Sequence, residues 1–360
     1  MYSAFQSMLR SLLPTALALA ASCAMAAPTY DVKVIAPPEP LGDGVHDVYW
    51  YSAIDLNNEG KSLTGMYQYM NPWCGCYKTF DKNGNSMGMP MALTPPTQVT
   101  NFVGLNNLGD VIGSVTHSNG IWMGVVQKDQ GYSAAVHGLP DDIYDGFYSD
   151  AFAYGANDVG QVVGQATSSN DGRKRAYVWK DKVMVEVGTF GGATSTATSI
   201  NNRGVAVGYA DLADGSRHAF VYRNGSLKDL GTLGGANSTA AEINNKGQII
   251  GTSQQADGVE RAFIYSDKIM KPLPTPEGAS SSALSINRSG YVIGTYRLDG
   301  QNYSFLYDGE AVHRVSDLVD QTGPWTIESA VAINDKGWIL GNGRKAGDLH
   351  STVLLLKPKQ

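Results

Sequence analysis

The sequence is short of charge, cysteine and long apolar segments, and each shortage excludes a class of protein. Charged residues make up 17% of the chain, and the formal net charge is −6. A nucleic-acid-binding protein needs a basic face, so this balance argues against a nucleic-acid partner. After residue 26 no apolar run is long enough to cross a bilayer as a helix. We therefore expect no transmembrane segment in the mature chain.

Cysteine is rare, and its placement limits the sites that it can form. Of three cysteines, Cys74 and Cys76 flank a single glycine. In an exported chain this pair is a candidate disulfide, although a bridge across one residue would be strained. Two thiolates lack the further ligands of a zinc site, and the six histidines include no pair at helical metal spacing. We predict no metal and no cofactor.

Signatures of catalysis and nucleotide binding are also missing. There is no Gly-x-Ser-x-Gly nucleophile elbow. The glycine-rich runs at 188–192 and 231–235 are followed neither by a helix nor by Gly-Lys-Ser/Thr, so they are not phosphate loops. These gaps favour a protein without a catalytic site, and no residue is assigned a catalytic role.

The first 26 residues have the pattern of a secretory signal peptide. Arg10 precedes a mostly apolar run over 11–23, and Ala24-Met25-Ala26 forms an A-x-A cleavage site. We expect a signal peptide at 1–26 and a secreted or periplasmic mature chain at 27–360. Two alternatives remain open: the run stays as a membrane anchor, or a lipid is attached at Cys23, which follows a weak lipobox-like sequence.

Glycine, in contrast, is abundant, with 42 residues, and much of it belongs to one repeated phrase. The segment 243–251, Ile-Asn-Asn-Lys-Gly-Gln-Ile-Ile-Gly, is typical of strand, tight turn and strand, because Asn and Gly tolerate positive φ. The pattern occurs seven times, and a period in this range indicates a repeat architecture. The lead asparagines are Asn57, Asn106, Asn157, Asn201, Asn244, Asn287 and Asn334.

Each repeat contains four short strand patterns. In the fifth copy they lie at 238–243, 248–253, 261–265 and 269–273. Four strands in roughly 45 residues are typical of a propeller blade. The chain ends after a third strand, at 352–356, and begins after the signal with a lone strand at 30–35. We therefore predict an all-β, seven-bladed β-propeller of four-stranded antiparallel blades, a single domain over 27–360. The N-terminal strand closes the ring by completing the last blade.

Three segments resemble the repeat of the HAF family of bacterial extracellular repeat proteins. They are Asp-Leu-Gly-Thr-Leu-Gly-Gly at 229–235, the asparagine phrase at 243–251 and His-Ala-Phe at 218–220. The resemblance is strong over about 150–310. It implies export and a propeller-like fold, but no established reaction. Arg175 and Arg261 replace the motif histidine in two repeats.

The repeat is broken in one sector. We expect the asparagine turns and the third-to-fourth turns on one rim, and the second-to-third loops and blade crossings on the opposite rim. Long crossings at 37–51, 138–150 and 317–325, and a loop at 67–73, are rich in aromatic residues, and all belong to blades seven, one, two and three. Aromatic faces with carboxylates suit sugars or cationic peptides. The candidate binding residues are Trp50, Tyr69, Trp73, Tyr144, Phe147, Tyr148, Trp325, Asp43, Asp47, Asp141, Asp142 and Asp145.

These observations favour an exported, monomeric, non-catalytic scaffold that binds an extracellular glycan or a peptide or protein ligand on the irregular rim. Another interpretation is that the aromatics only fill gaps between irregular blades. Two further functions remain open: a polysaccharide hydrolase or lyase with its carboxylates among the five aspartates, and a structural surface protein. An enzyme should show convergent carboxylates of perturbed pKa at the channel, and a binder a shallow aromatic patch.

Overall fold

The computed structural model describes residues 27–36, 39–40, 48–68, 71–88, 100–116, 122–128, 137–138, 150–168, 171–181 and 183–359. This part of the chain forms seven antiparallel sheets, and the only helix described is a 3-10 turn at Val315–Leu318. The innermost strand of each sheet contacts the innermost strands of its two neighbours, so the sheets form a closed ring. The predicted seven-bladed propeller is confirmed.

Each blade takes its strands from consecutive chain segments, except the seventh. In chain order the strands are β1 (Tyr30–Ala36); β2 (Glu39–Pro40), β3 (Val48–Leu56), β4 (Ser62–Gln68), β5 (Asn71–Phe80) and β6 (Ser86–Gly88) of blade 1; β7 (Thr100–Leu105), β8 (Val111–Thr116), β9 (Trp122–Gln127) and β10 (His137–Gly138) of blade 2; β11 (Ala151–Ala156), β12 (Val162–Thr167), β13 (Lys174–Lys180) and β14 (Val183–Glu186) of blade 3; β15 (Gly191–Ile200), β16 (Ala206–Leu212), β17 (Arg217–Arg223) and β18 (Ser226–Asp229) of blade 4; β19 (Gly234–Ile243), β20 (Ile249–Gln255), β21 (Glu260–Ser266) and β22 (Ile269–Pro272) of blade 5; β23 (Ser280–Ile286), β24 (Val292–Leu298), β25 (Gln301–Tyr307) and β26 (Val312–Arg314) of blade 6; and β27 (Trp325–Ile333), β28 (Ile339–Lys345) and β29 (Thr352–Pro358) of blade 7.

Strand β1 closes the ring as the outer strand of blade 7. It pairs antiparallel with β29 from Tyr30↔Pro358 to Ala36↔Val353, which gives the sheet order β1-β29-β28-β27. Its side chains alternate between two apolar clusters. Tyr30, Val32 and Val34 pack on the side facing blade 6, whereas Ile35 joins the cluster shared with blade 1. Both N- and C-terminal segments therefore hold the last blade together.

The second glycine of the repeated phrase lies where no side chain fits. In blade 5 a Cβ on Gly251 would lie 2.0 Å from the Thr239 carbonyl oxygen on the inner strand and 2.9 Å from the Phe263 ring on the third strand. The backbones of β19 and β20 thus approach beneath an aromatic ring that is fully buried. This packing, which only glycine permits, explains why the glycine recurs in the repeat.

Neighbouring blades are also joined by a repeated serine. The Oγ atoms of Ser195, Ser238 and Ser281 on inner strands each accept a hydrogen bond from a third-strand backbone N–H of the preceding blade, at 2.8–2.9 Å. The serine side chains are at most 5% exposed. Buried backbone groups that no sheet partner reaches are therefore satisfied between blades.

The structure corrects three details of the prediction. Inner strands begin earlier, at Gly234 in blade 5, and fourth strands end earlier, at Asp229 in blade 4, because residues 230–233 turn sharply to the next blade through Gly231 at φ +72°. Blade 1 gains a fifth strand, β2. Trp50 and Trp73, predicted in loops, lie within β3 and β5. The β-favouring residues around Trp50 extend the β3–β4 ladder to Tyr49↔Gln68, and the pairing Gln68↔Asn71 starts β5 ahead of Trp73.

Candidate functional site

The asparagine turns form one rim of the propeller and bond to each other around it. Each lead asparagine donates its side-chain Nδ2–H to the backbone oxygen of the lead asparagine in the next blade. The seven N···O distances are 2.9–3.5 Å, and the ring closes where Asn334 donates to Asn57. The repeated asparagine is therefore an inter-blade contact, a role that turn geometry alone did not predict.

The same asparagine also shapes its own turn. The Oδ1 atom of Asn244 accepts the backbone N–H groups of Lys246 and Gln248, both at 3.0 Å. A carboxylate at this position would lack the donor that reaches the next blade, and glycine would lack both groups. The residue type at the lead position is thus fixed by two simultaneous demands.

A second ring lies outside the first, at the following residue of each turn. The side-chain oxygen at this position accepts the backbone N–H of the equivalent residue in the preceding blade, at 2.7–3.1 Å. The ring is interrupted after Asn245, because the equivalent residue of the next blade is Arg288, whose side chain has no hydrogen-bond acceptor. Six of the seven links are present, and both rings cap the ends of the inner strands.

A polar channel of about 330 Å³ lies inside these rings and is lined by the inner-strand ends of all seven blades. Two carboxylates belong to its lining. The Oδ1 and Oδ2 atoms of Asp55 accept the backbone N–H groups of Leu56 at 2.8 Å and Leu105 at 2.7 Å. The Oε2 atom of Glu242 accepts that of Ile286 at 2.8 Å.

Both carboxyl groups resist ionisation because they are held away from bulk solvent. Burial raises the pKa of Asp55, against the opposing effect of its two backbone hydrogen bonds. Burial also raises the pKa of Glu242 to about 8, and the negative charge of Asp55 adds to this shift. At neutral pH Glu242 is therefore mostly protonated, and its carboxyl group can donate as well as accept a hydrogen bond.

Sequence reasoning missed these carboxylates, although the repeat contains a signal for them. Both lie two residues before the lead asparagine, where the other blades have Gly104, Gly155, Ser199, Ser285 and Ala332. Ser199 and Ser285 accept the same next-blade N–H group as the carboxylates do, at 3.4 and 3.2 Å. An acid at this position therefore takes over a structural hydrogen bond, and it also places a titratable group in the channel.

On the opposite rim, residues of the repeat motif form hydrogen bonds within the regular blades and along the crossings between them. In blade 4 the His218 Nδ1 atom lies 2.8 Å from Asp229 Oδ2, and Asp229 Oδ1 accepts the Gly231 N–H at 2.7 Å. Thr232 then donates its hydroxyl to the Gly235 carbonyl at 2.8 Å. The resembling segments at 218–220 and 229–235 therefore fasten one blade to the next, which leaves little of this sector free for a ligand.

Most of the predicted binding patch lies outside the described residues. This applies to the residues Asp43, Asp47, Tyr69, Asp141, Asp142, Tyr144, Asp145, Phe147 and Tyr148, and to the side chains of Trp50, Trp73, Cys74 and Cys76. The predicted signal peptide at 1–26 also lies outside them. The patch, the disulfide and the signal peptide remain predictions.

The backbone around Trp73 is described, and it departs from every other blade. Gln68 pairs with Asn71, whereas Met66 pairs with Cys76, so residues 72–75 bulge out of the β4–β5 ladder. The second-to-third pairings that the structure describes in the other six blades show no register shift. Bulges redirect side chains and are common beside functional sites. This bulge lies on the loop rim and carries Trp73-Cys74-Gly75.

Trp325 is the one candidate whose side chain the structure describes. It begins β27 on the loop rim, with its half-buried ring packed against the blade 7 core. The Lys345 ammonium lies 4.9 Å from the ring centroid. Part of the Trp325 ring thus packs on the apolar core and contacts the Lys345 ammonium, and the exposed remainder faces the loop rim.

The described residues contain neither a metal-binding cluster nor a membrane-spanning helix. No group of three or more His, Cys, Asp or Glu side chains is arranged to hold a metal ion within the described ranges. No helix in the part of the chain that the structure covers is long and apolar enough to cross a membrane.

Comparison with known proteins finds similarity in fold alone. No protein-family model matches the chain, and no curated protein matches its sequence. Among solved structures, "YCF48 bound to D1 peptide" is 11% identical, with 92% of this chain and 97% of that chain covered and a TM-score of 0.50. TolB from Acinetobacter baumannii is 11% identical, with 87% and 82% covered and a TM-score of 0.43. The acylaminoacyl peptidase of Pyrococcus horikoshii is 10% identical, with 89% and 52% covered and a TM-score of 0.46.

Proposed function

We propose that this chain is an exported, non-catalytic propeller of the HAF repeat type that binds a carbohydrate or peptide ligand on its loop rim, in the sector of blades 7, 1, 2 and 3. The observation that carries the proposal is the bulge at residues 72–75, the one break in the second-to-third ladders of the described blades. It lies on the loop rim, where the sequence predicts the long crossings of the same sector, and propeller loops at such a rim are suited to binding.

The regular sector supports the proposal by contrast. In blades 4 and 5 the crossings are short and their polar groups are already hydrogen-bonded within the fold, as in the Asp229–Gly231 and Thr232–Gly235 contacts. The lead asparagines of the other rim are likewise committed to inter-blade bonds. YCF48 was solved with a peptide, so a peptide belongs beside glycans in any ligand screen of this fold.

The test is a binding screen of the mature chain, residues 27–360, on glycan and peptide arrays. We expect W73A and Y144A to abolish the retention of the ligands, acidic glycans apart, that the wild type captures, without changing the melting temperature. Ile269→Ala is the control, because it removes a 54% exposed apolar side chain from regular blade 5. Unchanged retention by W73A and Y144A would contradict the proposal.

Export is a separate part of the proposal and has its own test. Expression of the full sequence in a bacterial host should yield a product whose N-terminal residue is Ala27. A product that keeps residues 1–26, or that carries a lipid at Cys23, would replace the signal-peptide interpretation with one of its two alternatives.

One observation favours an enzyme instead. Asp55 and Glu242 are channel carboxylates of raised pKa, which is the arrangement that general acid–base catalysis needs. Their oxygens, however, accept backbone N–H groups of the next blade, as Ser199 and Ser285 do. We therefore favour a structural role for them. Polysaccharide depolymerisation that disappears in both D55N and E242Q would establish the enzyme.

A further inference from the structure

Four lysines from four different elements converge where blade 7 meets blade 1. They are Lys33 of β1, Lys82 of the β5–β6 turn, Lys336 of the β27–β28 turn and Lys357 of β29. Lys336 and Lys357 lie over the ring of Trp338, the residue after the last asparagine turn. Lys82 approaches Gly60 beside the same ring, and Lys33 donates to Asn83 in the Lys82 turn at 3.4 Å; we call this group the Trp338 cluster. It lies on the asparagine rim, opposite the loop rim proposed above, so neither proposal depends on the other.

The backbone holds this cluster in place. The Lys357 and Lys336 ammonium groups lie 4.2 and 5.1 Å from the Trp338 ring centroid. The ring packs so closely on the first asparagine turn that a Cβ on Gly60 would lie 2.7 Å from it. The turn that carries Lys82 abuts β1, since a Cβ on Gly84 would lie 3.1 Å from the Ile35 carbonyl oxygen. The ring-closing seam thus brings together the backbone segments that carry the four lysines.

The surrounding carboxylates balance these charges poorly. Glu59, whose side chain is 81% exposed, lies 4.0 Å from Lys336. Asp81 accepts the backbone N–H groups of Asn83 and Asn85 and the Asn85 side-chain amide in its own turn. Against desolvation, these hydrogen bonds and then the charge of Lys33 lower the pKa of Asp81, so this carboxylate offsets part of one lysine's charge only. Asp31 lies 3.8 Å from Lys359, outside the cluster. Like charges are therefore concentrated here on a chain whose net charge is −6.

The pKa of Lys357 agrees with this excess. Partial burial lowers it first, and the positive charges of Lys33, Lys82 and Lys336 lower it further. An anion bound among the four ammonium groups would remove this mutual repulsion, which is a free-energy gain available only to the bound state.

We propose that the Trp338 cluster binds the carboxylate or sulfate groups of an acidic glycan. Lysine is a compact point charge that suits successive anionic groups along a chain better than one planar group held in a fixed geometry. The net charge of the protein selects against an extended anionic surface such as a membrane, which would face the whole acidic molecule. A single glycan strand contacts only the cluster.

The test uses the mature protein and oligogalacturonate, with its fully methyl-esterified form as the uncharged counterpart, in calorimetric titrations at low and high salt. We expect binding of the acid form only, and its loss at high salt. K336Q and K82Q should each weaken binding about threefold, and the double variant about tenfold, as exposed ion pairs of this kind do. Lys246→Gln is the matched control, since Lys246 holds the same turn position in blade 5.

A second readout is independent of affinity. The Lys357 side-chain amine, followed by NMR, should titrate at higher pH when oligogalacturonate is present. Equal binding of the esterified form, an equal loss in K246Q, or binding confined to phosphatidylglycerol vesicles or inorganic phosphate would each overturn the proposal. The Trp73→Ala variant should bind oligogalacturonate like the wild type, so failure here is distinguishable from failure of the loop-rim proposal.

Discussion

Asn244 shows how one side chain serves a turn and an interface together. Its Nδ2 group donates to the Asn287 carbonyl, and its Oδ1 accepts two N–H groups of its own turn. We expect Asn244→Ala to lower the free energy of unfolding by about 2–3 kcal/mol, because buried partners are left unsatisfied. Asn245→Ala, which removes an exposed bond to Asn202, should cost less than about 1 kcal/mol. Denaturant titration of the two variants measures the difference, and equal losses would refute the buried-ring interpretation.

Glu242 predicts a dependence of stability on pH. Its pKa is raised to about 8 in the folded chain and is near 4.3 when exposed. The folded state therefore holds a proton that the unfolded state has released. This stabilisation is complete below the unfolded pKa, and it is lost as pH rises through about 8.

The matched variant for this effect is Glu242→Gln. Between pH 5 and pH 9, wild-type stability should fall by a few kcal/mol more than that of E242Q, on the order of 1.4 kcal/mol per unit of pKa difference. Asp55, whose pKa is raised in the same direction, should leave a further slope of the same sign that D55N/E242Q removes. Parallel curves of unfolding free energy against pH for wild type and E242Q would contradict this account of the channel.

Strand β1 carries the closure of the whole ring. Tyr30, Ile35 and Ala36 are each at most 2% exposed, and the strand pairs along its length with β29. Burying three to five such side chains contributes roughly 5 kcal/mol or more, against a typical total stability of about 5–15 kcal/mol. We expect deletion of residues 28–36 to abolish cooperative thermal unfolding.

The control for that deletion is to restore the strand. A synthetic peptide of residues 28–36, added to the truncated chain, should recover a cooperative transition whose midpoint rises with peptide concentration. A truncated chain that melts like the wild type without the peptide would show that the ring does not need β1.

At the scale of the whole molecule, the fold could be predicted from the sequence because the same blade pattern occurs seven times in the chain. The spacing of the lead asparagines gave the blade number, and the unpaired patterns at 30–35 and 352–356 gave the closure, which the β1–β29 ladder confirms. These features depend on local turn geometry and strand alternation, which a single sequence displays.

The sites were harder to predict because they depend on which residues the ring brings together. Asp55 and Glu242 are far apart in the chain and meet only at the channel, and Lys33 joins Lys336 only through closure of the last blade. The bulge at 72–75 is a mismatch in strand pairing, and no spacing rule for single strands reveals it. The aromatic patch itself stays a prediction.

The central claim is that binding lies where the repeat is broken, and replacing one irregular crossing tests it most directly. Residues 139–149 would be exchanged for the short crossing 187–190 of blade 3, and Asp150 kept, because its carboxylate accepts the Trp122 N–H at 3.1 Å. The account predicts an intact cooperative melt together with loss of every ligand, acidic glycans apart, that the wild type retains on the glycan and peptide arrays. Full retention of those ligands by the folded graft would contradict it.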